Sequence, residues 1–140
     1  MKNQLKLVCL LSLLLLSCKK EELSKTLDFE QFTIDVPSNW ESFTSQGIDS
    51  KTGGITNGKD KLDYDYGWYS YNFKNETTAT HIRITTTIDG KPALIVKPIE
   101  KGKGIIGVFI QVDSQNKLSL YGRDIKNEDT LMKIFDSIKF

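Results

Sequence analysis

Apolar and polar residues alternate along several segments of the chain, and a period of two is typical of β-strands with one buried face. Two of these segments flank Asp89-Gly90, which predicts a tight hairpin because both positions tolerate positive φ. The other connections are mostly short as well, so we expect antiparallel pairing. The apolar sets are Phe32, Ile34 and Val36; Leu62, Tyr64, Tyr66 and Trp68; Ile82, Ile84, Thr86 and Ile88; residues 93–99; Ile106, Val108, Ile110 and Val112; and residues 118–121.

The apolar period changes to that of a helix near the end of the chain, in a stripe formed by Leu131, Ile134, Phe135 and Ile138. Asn127 is a favourable N-cap just before this stripe. The predicted fold class is therefore α+β, with an antiparallel sheet of five to six strands and a C-terminal amphipathic helix packed on it. Residues 40–48 have only a weak pattern. Residues 51–61 are rich in glycine and predict a turn or a mobile loop.

The first seventeen residues have a different character from the rest of the chain. Two lysines precede an almost unbroken apolar run over residues 7–16, and the segment contains no acidic residue. This layout predicts a signal peptide over residues 1–17. The run is about half the length of the roughly 20 apolar residues that a membrane-spanning helix needs.

The Leu15-Leu16-Ser17-Cys18 sequence resembles the lipobox of bacterial lipoproteins. The resemblance implies that Cys18 is the lipid attachment site and that an N-terminal lipid holds the chain on a membrane. Cys9 lies within the predicted signal peptide, so Cys18 is the only thiol expected in the processed chain, which leaves no intramolecular disulfide to form. Residues 18–27 are predicted to be a lipidated tether outside the domain, which is expected to span residues 28–140.

Lys20, Glu21 and Glu22 follow directly after the predicted lipidated cysteine. This triplet resembles the export signal that sends lipoproteins of Bacteroidota-type Gram-negative bacteria to the outer face of the outer membrane. The resemblance implies an outer-membrane lipoprotein exposed at the cell surface. A periplasm-facing location is the alternative, and a charge cluster without a sorting role is the other reading of the triplet.

The domain resembles the PsbP-like and DcrB-like family. The residues that carry this resemblance are the segments FTIDVPSNW at 32–40, IDGKPA at 88–93 and IFDSIKF at 134–140. They span about 110 residues in the order of the family, and most are packing and turn residues. The resemblance therefore implies an antiparallel sheet flanked by helices, often on exported lipoproteins, and it argues for a fold more than for an activity.

An unusually dense group of aromatic residues occurs between residues 64 and 73. Strict alternation would place Tyr64, Tyr66 and Trp68 on the core side and Tyr69 and Tyr71 on the opposite side, together with Asp63 and Asp65. Tyrosine combines a flat ring with a hydroxyl group and is enriched at recognition surfaces. We therefore interpret Tyr69, Tyr71, Asp63 and Asp65 as a candidate ligand-binding surface, with the glycine-rich stretch 51–61 beside it. Burial of these aromatic residues within the domain is the alternative.

Several function classes lack the residues that they need. The processed chain would hold 17 basic and 18 acidic residues, which does not indicate nucleic-acid binding. His81 is the only histidine, so a His-based zinc site or a Ser-His-Asp triad is not expected. Residues 63–67 lack the spacing of a calcium loop. No catalytic residue, metal site or cofactor is predicted.

The predicted function is a non-enzymatic binding or accessory domain on the cell envelope. The lipid would hold the protein on the membrane, and the domain would bind an envelope protein or a glycan. An envelope hydrolase that uses Asp63 or Asp65 as a general acid or base is the alternative. A purely structural envelope component is the third reading.

Overall fold

A computed structural model describes residues 21–140 of the chain. The predicted signal peptide, Cys18 and Lys20 lie outside the described residues. Within 21–140 the chain forms nine strands and one helix. The strands are β1 (Lys25–Asp28), β2 (Thr33–Val36), β3 (Glu41–Ser45), β4 (Lys51–Thr56), β5 (Lys61–Gly67), β6 (His81–Ile88), β7 (Lys91–Pro98), β8 (Ile105–Gln111) and β9 (Lys117–Arg123), and the helix is α1 (Glu128–Asp136).

Seven of the strands form one sheet in the order β3-β4-β5-β9-β8-β7-β6, and all neighbours are antiparallel. The ends of the strands therefore lie along two opposite sides of the sheet, one level with Lys61, the first residue of β5, and the other level with Gly67, the last residue of β5. We call these the Lys61 end and the Gly67 end. The Lys61 end holds the connections 57–60, 99–104 and 124–127. The Gly67 end holds the connections 46–50, 89–90 and 112–116 and the start, 68–72, of the connection 68–80.

One face of the large sheet, the core face, is covered by the β1-β2 hairpin and by α1. Side chains from β5, β9, β8 and β7 pack there against Phe32, Ile34 and Val36 of the hairpin segment and against Leu131, Ile134 and Phe135 of the helix. A bridge between Thr33 and Lys139 ties the end of the chain to the hairpin. The predicted α+β class and the C-terminal helix are confirmed, and so is the Asn127 N-cap, whose Oδ1 accepts a hydrogen bond from the Thr130 backbone N–H.

The opposite face of the large sheet has a smaller second core around Phe73. Phe73 is fully buried, and its ring lies edge-on to Tyr71 and Tyr121. The ring fits because position 107 is glycine, where a Cβ would lie 2.6 Å from Phe73 Cζ. Nη1 of Arg83 donates to the carbonyls of Phe73 and Glu76, which holds the β5-β6 connection against this face.

The predicted count of five to six strands is wrong, because three segments without a clear apolar alternation, β1, β3 and β4, also form strands. Residues 41–45 form the edge strand β3, where most side chains face solvent and leave no strong pattern. Residues 51–56 form β4, although they contain Gly53 and Gly54. A Cβ at position 54 would overlap the Leu62 carbonyl and the Phe43 ring, so these glycines serve close packing and not a mobile loop.

Two further expectations about the limits of the core are corrected. The β1 strand begins at Lys25, inside the segment predicted to be a tether, so the domain extends further toward the N-terminus than expected. Ile82 and Ile84 lie on the same face of β6 as the buried Ile88, as the alternation predicts, but they are 45% and 36% exposed. They lie on β6, an edge strand beyond the cover that the helix provides.

No helix within residues 21–140 is long and apolar enough to cross a membrane.

Candidate functional site

The most exposed large apolar side chains at the Gly67 end come from two neighbouring connections. Ile48 is 99% exposed, Tyr69 is 81% exposed and Trp68 is 52% exposed. The two connections are adjacent, because Ser50 at the end of the first lies beside Gly67, the residue that precedes the second; a Cβ at Gly67 would lie 2.9 Å from Ser50 Cβ. We call Ile48, Trp68 and Tyr69 the aromatic tip. Exposed apolar side chains grouped in this way mark interaction surfaces more often than isolated ones do.

The conformation of the tip is set by the tight turn that ends β5. The Ser70 hydroxyl accepts a hydrogen bond from the Gly67 N–H and also lies 2.9 Å from the carbonyl oxygens of Asp65 and Lys117. Ser70 is buried, whereas Trp68 and Tyr69 project from the turn. The prediction that Trp68 belongs to the core face is therefore wrong, because the strand alternation stops at Gly67.

Lys117 orients the Trp68 ring. Its Nζ lies 4.5 Å from the ring centroid and donates a 2.8 Å hydrogen bond to the Trp68 carbonyl. A cation over an indole ring is favourable by about 0.5–1 kcal/mol at exposed sites. The ring is thus held in place while about half of the residue's surface stays open to solvent.

Tyr71 does not belong to the exposed tip, although the sequence grouped it with Tyr69. Its hydroxyl donates a 2.6 Å hydrogen bond to Glu76 Oε2, and its ring packs edge-on against Phe73 at 5.2 Å. Burial, and then the hydrogen bond and charge of Glu76, raise the pKa of Tyr71. Tyr71 is half-buried and belongs to the second core, so only Tyr69 of the predicted pair is freely accessible.

Asp63 and Asp65 lie on the same face of β5 as the second core, as the alternation predicts. Asp63 pairs with Lys61 at 2.7 Å and is opposite Tyr121 of β9. Asp65 is opposite Ser119, and among residues 21–140 neither Asp65 Oδ1 nor Ser119 Oγ has a hydrogen-bond partner, although both atoms are buried. Burial, and then the charges of Asp63 and Asp65, raise the pKa of Tyr121.

An open depression of about 480 Å³ lies beside Asp63 at the Lys61 end, lined by Lys59, Lys61, Tyr121, Arg123 and Asp124 among others. The 57–60 turn of the glycine-rich stretch contributes to this depression. It lies at the opposite end of β5 from Tyr69, so the stretch 51–61 does not form one surface with the tyrosines as the sequence suggested. The neighbour of the tip is the 46–50 connection.

The only histidine serves the local structure. His81 Nδ1 lies 2.8 Å from Thr80 Oγ1, and its Nε2 lies 3.1 Å from the Ile105 carbonyl. Across the described part of the chain, no three or more His, Cys, Asp or Glu side chains are grouped so as to hold a metal ion.

Glu21 makes contacts that the sequence did not reveal. Its Oε2 accepts hydrogen bonds from Asn127 Nδ2 and Thr130 Oγ1, both at 3.1 Å, and its carbonyl accepts one from Lys133 Nζ at 3.0 Å. The expectation that residue 21 stands apart from the domain is therefore wrong. An acidic residue suits the start of a helix, where backbone N–H groups and the helix dipole favour negative charge. No local pattern links Glu21 to a helix more than 100 residues later.

No protein-family model and no curated protein sequence matches this chain.

Proposed function

We propose that this chain is a lipid-anchored lipoprotein of the cell envelope whose domain binds a partner through the aromatic tip without performing catalysis. The observation that carries the proposal is the exposure of Ile48, Trp68 and Tyr69 in adjacent connections at the Gly67 end, whereas the remaining aromatic residues between 64 and 73 are buried or half-buried. A purely structural component would have no need for such a patch.

The lipid anchor is supported by the sequence before the described residues. A short apolar run without acids leads to Cys18, and the folded domain begins only a few residues later at β1. Cys18→Ala should abolish incorporation of a fatty-acid probe during growth. Undiminished label in that variant would overturn the lipoprotein assignment.

The chemistry of the tip favours an envelope protein or a glycan as the partner. Trp68 and Tyr69 provide flat apolar rings with polar edges, a combination enriched where one surface recognises another. Ile48 adds an aliphatic contact, and Lys117 adds a positive charge beside the indole. This arrangement suits a ligand that has both apolar surface and hydrogen-bonding groups.

A cross-linking experiment in intact envelopes tests the tip directly. A photoreactive amino acid at Tyr69 should yield a discrete cross-linked product, whereas the same group at Thr44, an exposed position on the outer strand β3, should not. The Trp68→Ala, Tyr69→Ala double variant, with the photoreactive group moved to Ile48, should lose the product while keeping its urea midpoint. Equal products from Tyr69 and Thr44, or an undiminished product in the double variant, would contradict the proposal.

We propose further that Lys20, Glu21 and Glu22 direct the protein to the cell surface across the outer membrane. Replacement of all three by alanine should make the protein resistant to protease applied to whole cells. Because Glu21 also contacts α1, the matched variant is Lys20→Ala with Glu22→Ala, which leaves those contacts intact. Continued cleavage of both variants by external protease would argue for a charge cluster without a sorting role.

The finer fold assignment, a PsbP-like domain, is also a proposal. It is supported by the seven-stranded antiparallel sheet and the helix on its core face. The described residues contain one helix, whereas the resemblance implies helices flanking the sheet. Superposition of an experimental structure on PsbP-like domains would test this assignment.

A further inference from the structure

The path of the chain toward its N-terminus is fixed at one corner of the domain. Glu21 is held at the first turn of α1 by Asn127 and Thr130. The same residues line a cavity of about 300 Å³ together with Trp40, Asn57 and Lys59. Asn57 and Lys59 belong to the turn between β4 and β5. The chain therefore enters the domain at the Lys61 end of the sheet.

The distance from this corner to the proposed lipid is short. Three residue steps separate Glu21 from Cys18, and an extended chain covers at most about 11 Å over three steps. A bilayer that holds the acyl chains of Cys18 must then approach the Lys61 end within that distance. The aromatic tip lies at the other end of β5, about 20 Å further along the strand direction at 3.3–3.4 Å per residue.

The charges around this corner suit a lipid headgroup surface. Lys59, Lys101, Arg123 and Lys126 are exposed there, and they form no ion pair with any residue in 21–140. Ile99, in the connection that also carries Lys101, is 58% exposed. Such a side chain can enter the headgroup region while neighbouring lysines reach the phosphates.

The acidic residues at the Lys61 end are partly engaged within the protein. Asp124 Oδ1 accepts a 2.6 Å hydrogen bond from the Gly104 N–H, and Glu100 pairs with Lys103 at 2.6 Å. Asp60 is half-buried in the turn between β4 and β5. Glu41, Asp124 and Asp129 are also exposed at this end, so it carries charges of both signs. The four unpaired cations are the side chains that can reach lipid phosphates.

We propose that the Lys61 end of the domain is a membrane-contact surface that rests on anionic lipid headgroups and points the aromatic tip away from the bilayer. This inference rests on the proposed lipid anchor. It makes the tip available to a partner beyond the membrane.

Position-specific fluorescence quenching tests this orientation in the acylated protein. Once Cys18 is acylated and the signal peptide is removed, the processed chain has no free thiol. The single variants Lys101→Cys and Ile48→Cys then each carry one cysteine that can be labelled. Each variant is labelled with the same fluorophore and reconstituted in phosphatidylethanolamine vesicles containing phosphatidylglycerol and a headgroup-labelled quencher lipid. Quenching at position 101 should exceed that at position 48 by at least threefold. Equal quenching, or stronger quenching at position 48, would overturn the proposed orientation.

Two further arms separate the causes. The first arm uses vesicles of neutral phosphatidylcholine. The second combines Lys59→Gln, Lys101→Gln and Lys126→Gln, with the fluorophore at Ile99→Cys because position 101 is then occupied. In each arm the excess quenching at the Lys61 end should fall at least twofold. An unchanged ratio would remove the electrostatic contact from the proposal. Failure of the wild-type protein to associate with any vesicle would instead count against the lipid anchor itself, and so against the proposed function. A urea midpoint confirms that each variant is folded.

Discussion

The Glu21 carboxylate lies 3.1 Å from the Thr130 hydroxyl, and so joins the N-terminal segment to a helix that begins 107 residues later in the chain. The segment that precedes the domain is thereby fixed to it at one point. A sorting factor that reads Glu21 would have to compete with the start of α1.

Replacement of Glu21 by alanine should lower the free energy of unfolding by about 0.5–1.5 kcal/mol, the net value of a typical hydrogen bond, because its carboxylate bonds are lost. Glu22→Ala is the matched control, since Glu22 is exposed and surface changes usually stay within about 0.5 kcal/mol. Urea denaturation of the two variants measures the difference. Equal midpoints would show that the Glu21 contacts contribute nothing in solution.

Phe135→Ala should destabilise the domain by about 3–5 kcal/mol, because it deletes a fully buried aromatic ring from the interface between α1 and the sheet. The exposed neighbour Asp136→Ala should have little effect. A urea-midpoint change equivalent to less than about 1 kcal/mol for Phe135→Ala would contradict the observed docking of the helix.

Gly54→Ala should destabilise the sheet by at least about 1–3 kcal/mol, the usual range for overpacking, because its Cβ would meet the Leu62 carbonyl and the Phe43 ring. The backbone carbonyl cannot move without disturbing the pairing of β4 with β5. Ser42→Ala, at an exposed position of β3, is the control. If Gly54→Ala were as stable as the wild type, residues 51–56 would not pair as a strand in solution.

Stability should fall at alkaline pH through Tyr121. Burial, and then the charges of Asp63 and Asp65, raise its pKa above the usual value of 10.0. The folded state therefore disfavours the phenolate, so the stabilisation that this group confers is complete below pH 10 and is lost as the pH rises through the raised pKa. Tyr121→Phe should remove part of this decline in urea midpoint and one late step in the tyrosine absorbance titration. A Tyr121→Phe variant that kept the late step of the absorbance titration would contradict the assignment.

Ile84→Lys should reduce self-association of the domain at high concentration while changing the free energy of unfolding by no more than about 0.5 kcal/mol. Ile84 is exposed on the edge strand β6, and charged residues on edges discourage further strand pairing. Light scattering across a concentration series measures the effect. Thr44→Lys on the opposite edge is the matched change, and an equal reduction there would show that net charge and not the β6 edge is responsible.

Local patterns determined the elements whose cause is local. Asp89 and Gly90 have φ values of 48° and 72°, as a two-residue hairpin turn requires, and the apolar stripe of α1 is buried as its spacing predicts. The alternation of β5 correctly separated Leu62 and Tyr64 from Asp63 and Asp65. These outcomes depend on backbone preferences and on periods of two or 3.6 residues, which are written within a few neighbouring positions.

Only the tertiary structure decided features that depend on distant residues. Gly54 lies in a strand because the Phe43 ring and the Leu62 carbonyl leave no room for a Cβ, although glycine alone predicts a loop. Phe73 is buried and Trp68 exposed because a turn held by Ser70 ends the alternation between them. Ile84 is exposed because the sheet order places β6 at an edge. Glu21 meets Thr130 because the segment before β1 passes the start of α1. Burial is a property of the assembled layers, and no local period encodes which strand will be last.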